Sequence, residues 1–75
     1  MMSEEKWKEV FGQRLNECIR CGDTGLTIPQ IAKHVGVNRA SIYRWLNGQS
    51  IPSAYHVYKL SQLFHVSPTY FIGIV

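Results

Sequence analysis

The 75 residues, 45% of them hydrophobic and 17% charged, are enough for one small domain and too apolar for a disordered chain. We therefore expect residues 1–75 to form a single domain. The formal net charge is +3, but it is unevenly distributed. All five acidic residues lie within residues 1–23, where they outnumber the four basic ones, whereas residues 24–75 hold four basic residues and no acidic one. This asymmetry favours a polyanionic partner, and a basic but otherwise ordinary surface is the alternative.

The cysteines and the apolar segments favour a cytoplasmic protein. Cys18 and Cys21 lie three residues apart, whereas a disulfide-stabilised secreted domain spreads several cysteines along its chain. We therefore expect two reduced thiols. The sequence begins without the basic cluster and apolar run of a signal peptide. The apolar segment near residues 70–75 is far shorter than the roughly 20 residues of a membrane helix, so we expect no membrane partner.

An apolar stripe at helical spacing predicts the first helix over about residues 3–21. Its members recur on one face of an amphipathic helix: Trp7, Val10, Phe11, Leu15, Cys18 and Ile19. The segment GDTG then interrupts the pattern. We expect Gly22 to end the helix in the left-handed conformation that glycine adopts easily.

A second, short helix follows, and its capping residues mark its start. Thr27 and Gln30 have the spacing of a capping box, and Pro29 suits a first turn because its missing N–H would have no partner there. The helix must stop at Gly36. It can bury four small or apolar residues: Ile28, Ile31, Ala32 and Val35.

A third helix is expected between an N-cap at Asn38 and a stop at Asn47 and Gly48. Two short helices joined by a tight turn that contains glycine form a helix-turn-helix unit, here about residues 27–47. This unit lays its second helix in the major groove of DNA. A purely structural helical hairpin would use the same glycine, so the hairpin alone leaves both interpretations open.

Two further helices complete the chain. Ser53 is suited to cap the fourth helix, and Ser67 with Pro68 opens a short fifth one. Nothing has the alternation and turn signals of paired strands. The sequence therefore predicts an all-α fold, a compact five-helix bundle. The fourth helix carries the apolar residues Ala54, Val57, Leu60, Leu63 and Phe64.

At about 100° per residue, the third helix has two opposite faces. Ile42, Trp45 and Leu46 form an apolar face. The opposite face, called the arginine face below, consists of Arg39, Ala40, Tyr43 and Arg44. Guanidinium groups bind guanine bidentately, alanine contacts a thymine methyl group, and tyrosine reaches a base or a phosphate. Solvated helix surfaces usually mix charge signs, and this face has no acid, so we interpret it as a surface for the DNA groove.

Residues 26–73 resemble the Cro/CI-type (XRE-like) helix-turn-helix family of phage and bacterial transcriptional regulators, and FGQRL at residues 11–15 is similar to its first helix. The resemblance implies a lambda-repressor-like DNA-binding domain in a cytoplasmic, nucleoid-associated regulator, bacterial or phage-encoded. We expect a repressor, and activation is the alternative that the sequence leaves open. The positions that carry it are Ile31, Ala32, Gly36, Val37, Ile42, Trp45, Asn47, Gly48, Pro52, Leu60, Val66 and Ser67.

The resemblance also implies roles for single residues. The first, second and sixth residues of the third helix, Arg39, Ala40 and Arg44, would meet base edges, and Tyr43 lies on the same face. Family members commonly bind near-palindromic operators as two-fold dimers, so double-stranded DNA and a second copy are the expected partners. No cofactor, metal or small-molecule ligand is expected. The polar residues implied to hold phosphates are Gln30, Asn38, Ser41, Asn47, Gln49 and Ser50.

Three positions depart from the family pattern. Ile28 replaces a phosphate-binding glutamine, so that contact is missing or passes to Gln30. Leu46 replaces a glutamate that often pairs with the arginine of the first helix, so we expect Arg14 to bind phosphate. The CGDTG connection is about two residues longer than usual, which affects the loop between the first two helices and not the reading unit.

Metal, redox and hydrolytic sites are poorly matched by the sequence. Structural zinc sites take four ligands, and a redox cysteine pair opens a helix, whereas Cys18 and Cys21 close one. No acid follows Asp23 to support a hydrolytic site, so we expect no enzyme. Cys18 is expected in the core and Cys21 partly exposed. Three scattered histidines are expected near the surface: His34, His56 and His65.

The main rival hypothesis is a helical protein–protein interaction module, partner-binding or antitoxin-like, with the same fold. The apolar segment TYFIGIV favours it, because Ile74 and Val75 continue beyond the end of the family's last helix. The same segment can cover its own core or form a homodimer contact, which we favour. The prediction from sequence is a DNA-binding transcriptional regulator that reads a specific duplex with its third helix.

Overall fold

The computed structural model of the protein describes residues 3–22 and 24–73, which form five α-helices and no β-strand. The predicted all-α architecture is confirmed. Among these residues, no helix combines the length and the apolar composition that crossing a membrane requires. The helices are α1 (Glu4–Cys21), α2 (Ile28–Val35), α3 (Arg39–Leu46), α4 (Ala54–Phe64) and α5 (Pro68–Ile72).

A polar side chain caps the start of each helix. The predicted capping box forms in full. The backbone N–H of Gln30 donates to the Thr27 hydroxyl, and the backbone N–H of Thr27 donates to the side-chain oxygen Oε1 of Gln30 at 2.8 Å. Each cap satisfies an N–H that has no partner within its helix. The predicted starts of α2 to α5 are confirmed. The five N-caps are Ser3, Thr27, Asn38, Ser53 and Ser67.

Two glycines end α1 and α2 in different ways. The predicted stop of α2 at Gly36 is confirmed, and this glycine is left-handed, with φ 90° and ψ 29°. The prediction for Gly22 is wrong, since this residue is extended, with φ −76° and ψ 159°. Its N–H still donates to the Cys18 carbonyl at 2.9 Å, so the last turn closes while the chain leaves in an extended direction toward α2.

Phe11 lies at the centre of the core and is fully buried. Its ring packs edge-on against Trp45 of α3, 6.2 Å between centroids, and against Phe71 of α5 at 5.5 Å. Such aromatic contacts add to the burial of apolar area, so this one side chain joins three helices. The buried apolar residues are Phe11, Leu15, Cys18, Ile31, Ala32, Val35, Ile42, Trp45, Val57, Leu60 and Phe71.

Some residues predicted for the core lie at its edge. Ile28, Leu46, Leu63 and Phe64 are only partly buried. Ala54 is exposed, contrary to prediction. It is the first residue of α4, directly after the N-cap Ser53, and it precedes the first buried position of the helix, Val57, by almost a full turn. Ile74 and Val75, and with them the expected role of the apolar tail, lie outside the described residues.

Gly12 allows the backbones of α1 and α3 to touch. A Cβ atom at this position would lie 2.9 Å from the carbonyl oxygens of both Trp45 and Leu46. Because these neighbours are backbone atoms, no side-chain rotation can relieve the clash. The contact therefore fixes how closely the C-terminal end of α3 approaches α1.

We expect Gly12→Ala to lower the free energy of unfolding by about 1–3 kcal/mol, because the helices must separate to admit the methyl group. Urea denaturation followed by circular dichroism measures this. The matched control is Gln13→Ala at the neighbouring exposed position, expected to change stability by no more than about 0.5 kcal/mol. A stabilised Gly12→Ala variant, as the higher helix propensity of alanine alone predicts, would contradict the close contact.

Candidate nucleic-acid interface

The turn between α2 and α3 is tight and well anchored. The N–H groups of Gly36 and Val37 both donate to the Ala32 carbonyl, at 2.8 and 3.0 Å. Ala32 is buried, and Val37 packs against the core. The Asn38 side chain then accepts from the Ser41 amide at 3.0 Å and starts α3. Together, α2 (Ile28–Val35), this turn and α3 (Arg39–Leu46) form a helix-turn-helix.

The two faces of α3 lie as the helical rotation predicts. Ile42 is fully buried and Trp45 is 5% exposed, so the apolar face is packed into the bundle. All four members of the arginine face are exposed, and Tyr43 is 49% exposed. The fold thus presents a short helix edge to solvent with its long polar side chains outward.

The charges of the arginine face have no acidic contact among residues 3–22 and 24–73. Within the part of the chain that the structure describes, the one salt bridge joins Lys8 to Glu5, at 3.4 Å. Arg39 and Arg44 therefore make no ion pair with a described residue. Because neither guanidinium group is paired with a described acid, both are suited to bind a polyanion, and each offers five N–H donors.

Residues 19–71 match the family model described as Helix-turn-helix. The chain belongs to the helix-turn-helix family. The match runs from the last residues of α1 into α5 and supports the resemblance to the Cro/CI type. The family is a DNA-binding regulatory one and is not typically enzymatic, so the chain is a DNA-binding helix-turn-helix regulator. No curated protein matches the chain.

Apart from Arg14 and Ser41, the predicted phosphate contacts of this helix-turn-helix protein fall into two groups. The first consists of Gln30, in the first turn of α2, and Asn38, the cap of α3, whose side-chain oxygens already serve the two caps. Their NH₂ groups are the donors that suit a phosphate. At the other end of α3, Gly48 is left-handed, with φ 71°, and turns the chain away from this helix. The second group consists of Asn47, Gln49 and Ser50. Ser41, in the first turn, is half-buried.

Arg14 has an aromatic partner in place of the family's glutamate. Its guanidinium carbon lies 4.7 Å from the ring centroid of Tyr70 in α5. The Tyr70 hydroxyl donates to Glu17 Oε2 at 2.9 Å. Burial and then this hydrogen bond raise the pKa of Tyr70 to about 12. The cluster ties α5 to α1, and the phosphate contact of Arg14 stays a prediction. Tyr70 was not singled out in the sequence, because no local spacing relates it to α1.

A polar cleft opens beside the arginine face, and it contains residues that the sequence analysis missed. One side is a stripe of α1, and the other is the end of α3 with the following turn. Its volume is about 560 Å³. The i, i+4, i+8, i+11 spacing of polar residues on α1 was the available signal. This surface is called the α1–α3 cleft, lined by Glu5, Glu9, Gly12, Gln13, Asn16, Tyr43, Leu46, Asn47 and Gly48.

The two cysteines lie as predicted, with Cys18 buried and Cys21 exposed. Burial is also the main cause that raises the pKa of the Cys18 thiol. No group of three or more potential metal ligands occurs among residues 3–22 and 24–73. A raised pKa favours the protonated thiol, which is the less reactive form.

We expect Tyr70→Phe to lower the free energy of unfolding by about 1 kcal/mol at neutral pH, since it removes a hydrogen bond and keeps the ring beside Arg14. The folded-state pKa of about 12 exceeds the ordinary value of 10.0. The stabilisation by the hydroxyl is therefore complete below pH 10 and is lost as the pH rises through 12.

Urea denaturation of the two proteins at pH 7 and near pH 11 tests this expectation. The stability difference should narrow at the higher pH. Tyr55→Phe, at a residue that is 61% exposed, controls for the loss of a hydroxyl alone. The same difference at both pH values would contradict the assigned hydrogen bond.

Proposed function

We propose that the protein is a sequence-specific transcriptional repressor that binds double-stranded DNA by inserting α3 into the major groove. The observation that carries this proposal is the arginine face, exposed and without acids on the second helix of the helix-turn-helix unit. The B-DNA major groove, about 12 Å wide, admits a helix. The repressor role rests on the family resemblance.

The proposal divides the polar residues around α3 by what they contact. Arg39, Ala40, Tyr43 and Arg44 face the base edges, where hydrogen bonds and methyl contacts distinguish base pairs. Polar residues on α1, at the start of α2 and at both ends of α3 hold the DNA backbone, which fixes the register without reading sequence. These proposed phosphate contacts are Arg14, Gln30, Asn38, Ser41, Asn47, Gln49 and Ser50.

A homodimer on a near-palindromic operator follows from the small size of the reading element. A helix of eight residues, Arg39–Leu46, is only about 12 Å long and touches few base pairs. Two copies related by a two-fold axis place two such helices about 34 Å apart, one turn of DNA. The dimer therefore doubles the number of base pairs that are read. We propose that residues 1–75 act as one domain in this assembly, in the cytoplasm at the nucleoid.

Selection of bound sequences from a random duplex library, followed by titration at two salt concentrations, tests this function. The expected result is a near-palindromic site whose binding weakens steeply with salt, because bound phosphates release counterions. A single asymmetric half-site bound by one molecule would refute the dimer. Absence of binding to any duplex would refute DNA reading and favour the protein–protein interaction module.

We expect Arg44→Ala to cost about 1–3 kcal/mol on the selected site and to relax discrimination at one base pair, because Arg44 would bind a guanine bidentately. Gln49→Ala is the comparison, expected to weaken all sequences alike since it would remove only a backbone contact. Electrophoretic or fluorescence titrations on operator and random duplexes measure both effects.

Folding must stay intact for this comparison. Arg44 is exposed and lies outside the buried face formed by Ile42 and Trp45. The thermal unfolding of the Arg44→Ala variant, followed by circular dichroism, should therefore match that of the wild type. If Arg44→Ala weakened operator and random DNA equally, Arg44 would be a phosphate contact and base reading would pass to Arg39.

A further inference from the structure

The acidic side of the α1–α3 cleft lies against the proposed phosphate-binding turn. Glu5 and Glu9 line the same cleft as Tyr43 and Asn47. A cleft of about 560 Å³ is on the order of 10 Å across, which is about one Debye length at 0.1 M salt. A carboxylate on one wall therefore acts on an anion held at the other wall.

Backbone contacts hold the helix that carries the acids beside the end of α3. Gly12, three residues after Glu9, brings α1 against the carbonyls of Trp45 and Leu46. A Cβ at Gly48 would lie 3.8 Å from the carbonyl oxygen of Lys8, so the turn after α3 rests on the residue that precedes Glu9. The distance between the Glu9 backbone and the turn that carries the proposed phosphate contacts is thus set by the fold, and the carboxylate stays within reach of that turn.

The two acids of the cleft differ in their neighbours. Glu5 forms the salt bridge to Lys8, at 3.4 Å. Glu9 is exposed and makes no ion pair with any residue of 3–22 or 24–73. Its negative charge is therefore the uncompensated one beside the proposed phosphate contacts.

We propose that Glu9 repels the DNA backbone at the end of α3 and so limits the affinity of this regulator for phosphates. This inference rests on the proposed function. Without such repulsion, the cationic remainder of the chain would hold any duplex more tightly, since phosphate attraction is independent of sequence. With weaker phosphate attraction, the affinity depends more on the arginine face, which is proposed to contact the bases.

The test compares Glu9→Gln with Glu4→Gln in titrations of random and operator duplexes at about 50 and 200 mM salt. Both variants remove one negative charge from an exposed position of α1, but Glu4 is outside the cleft. We expect Glu9→Gln to raise affinity for both duplexes roughly two- to tenfold at the lower salt, with most of the gain lost at the higher salt. Glu4→Gln should have a clearly smaller effect.

A charge-reversing variant provides a second measurement. Glu9→Lys doubles the change in charge, so its gain should be about the square of the gain of Glu9→Gln. Equal gains from Glu4→Gln and Glu9→Gln, no gain, or a gain on the operator alone would overturn the inference. Wild-type protein that binds no duplex would instead refute the proposed function, so the two failures are distinguishable. Circular dichroism melts confirm that each variant is folded.

Discussion

The backbone contact between α1 and α3 at Gly12 is the constraint on which the arrangement of this protein depends. With only eight residues, α3 is too short to be stable alone in water, so it needs one buried face. The Phe11 ring packs against Trp45 on that face. One residue further along, at Gly12, the backbones of α1 and α3 approach so closely that no side chain fits between them. The arginine face is consequently held toward solvent in one orientation.

The same contact decides where the acidic residues lie relative to the basic ones around α3. The described acids all belong to α1, and the basic residues beyond residue 24 belong to α2, α3 and α4. Since α1 crosses the end of α3, the acids Glu5 and Glu9 lie near one end of the arginine face and not over its middle. If Glu9 repels phosphates as proposed, a polyanion is attracted along α3 and repelled at its C-terminal end, which favours one approach over others.

Local interactions could be predicted from the sequence, and distant ones could not. The capping box of Thr27 and Gln30 joins residues three apart, so its chemistry is visible in the spacing. Gly22 was misassigned because glycine accepts several conformations, and the position of α2 selects one. The Arg14–Tyr70 contact and the α1–α3 cleft join residues more than 25 apart in sequence. No periodic pattern specifies such pairs.

The arginine face could be predicted from the sequence because it follows from the helical period alone. Its orientation depends on how α1 holds α3 and the turn that follows α3. Gly48 turns the chain back onto the backbone of Lys8, so the turn that follows α3 is held by the same helix that holds α3. Long arginine side chains can adjust to a ligand, but a displaced helix shifts all of them together. The proposed reading helix α3 has only eight residues and gains its geometry from α1, a helix that mostly precedes the matched family segment.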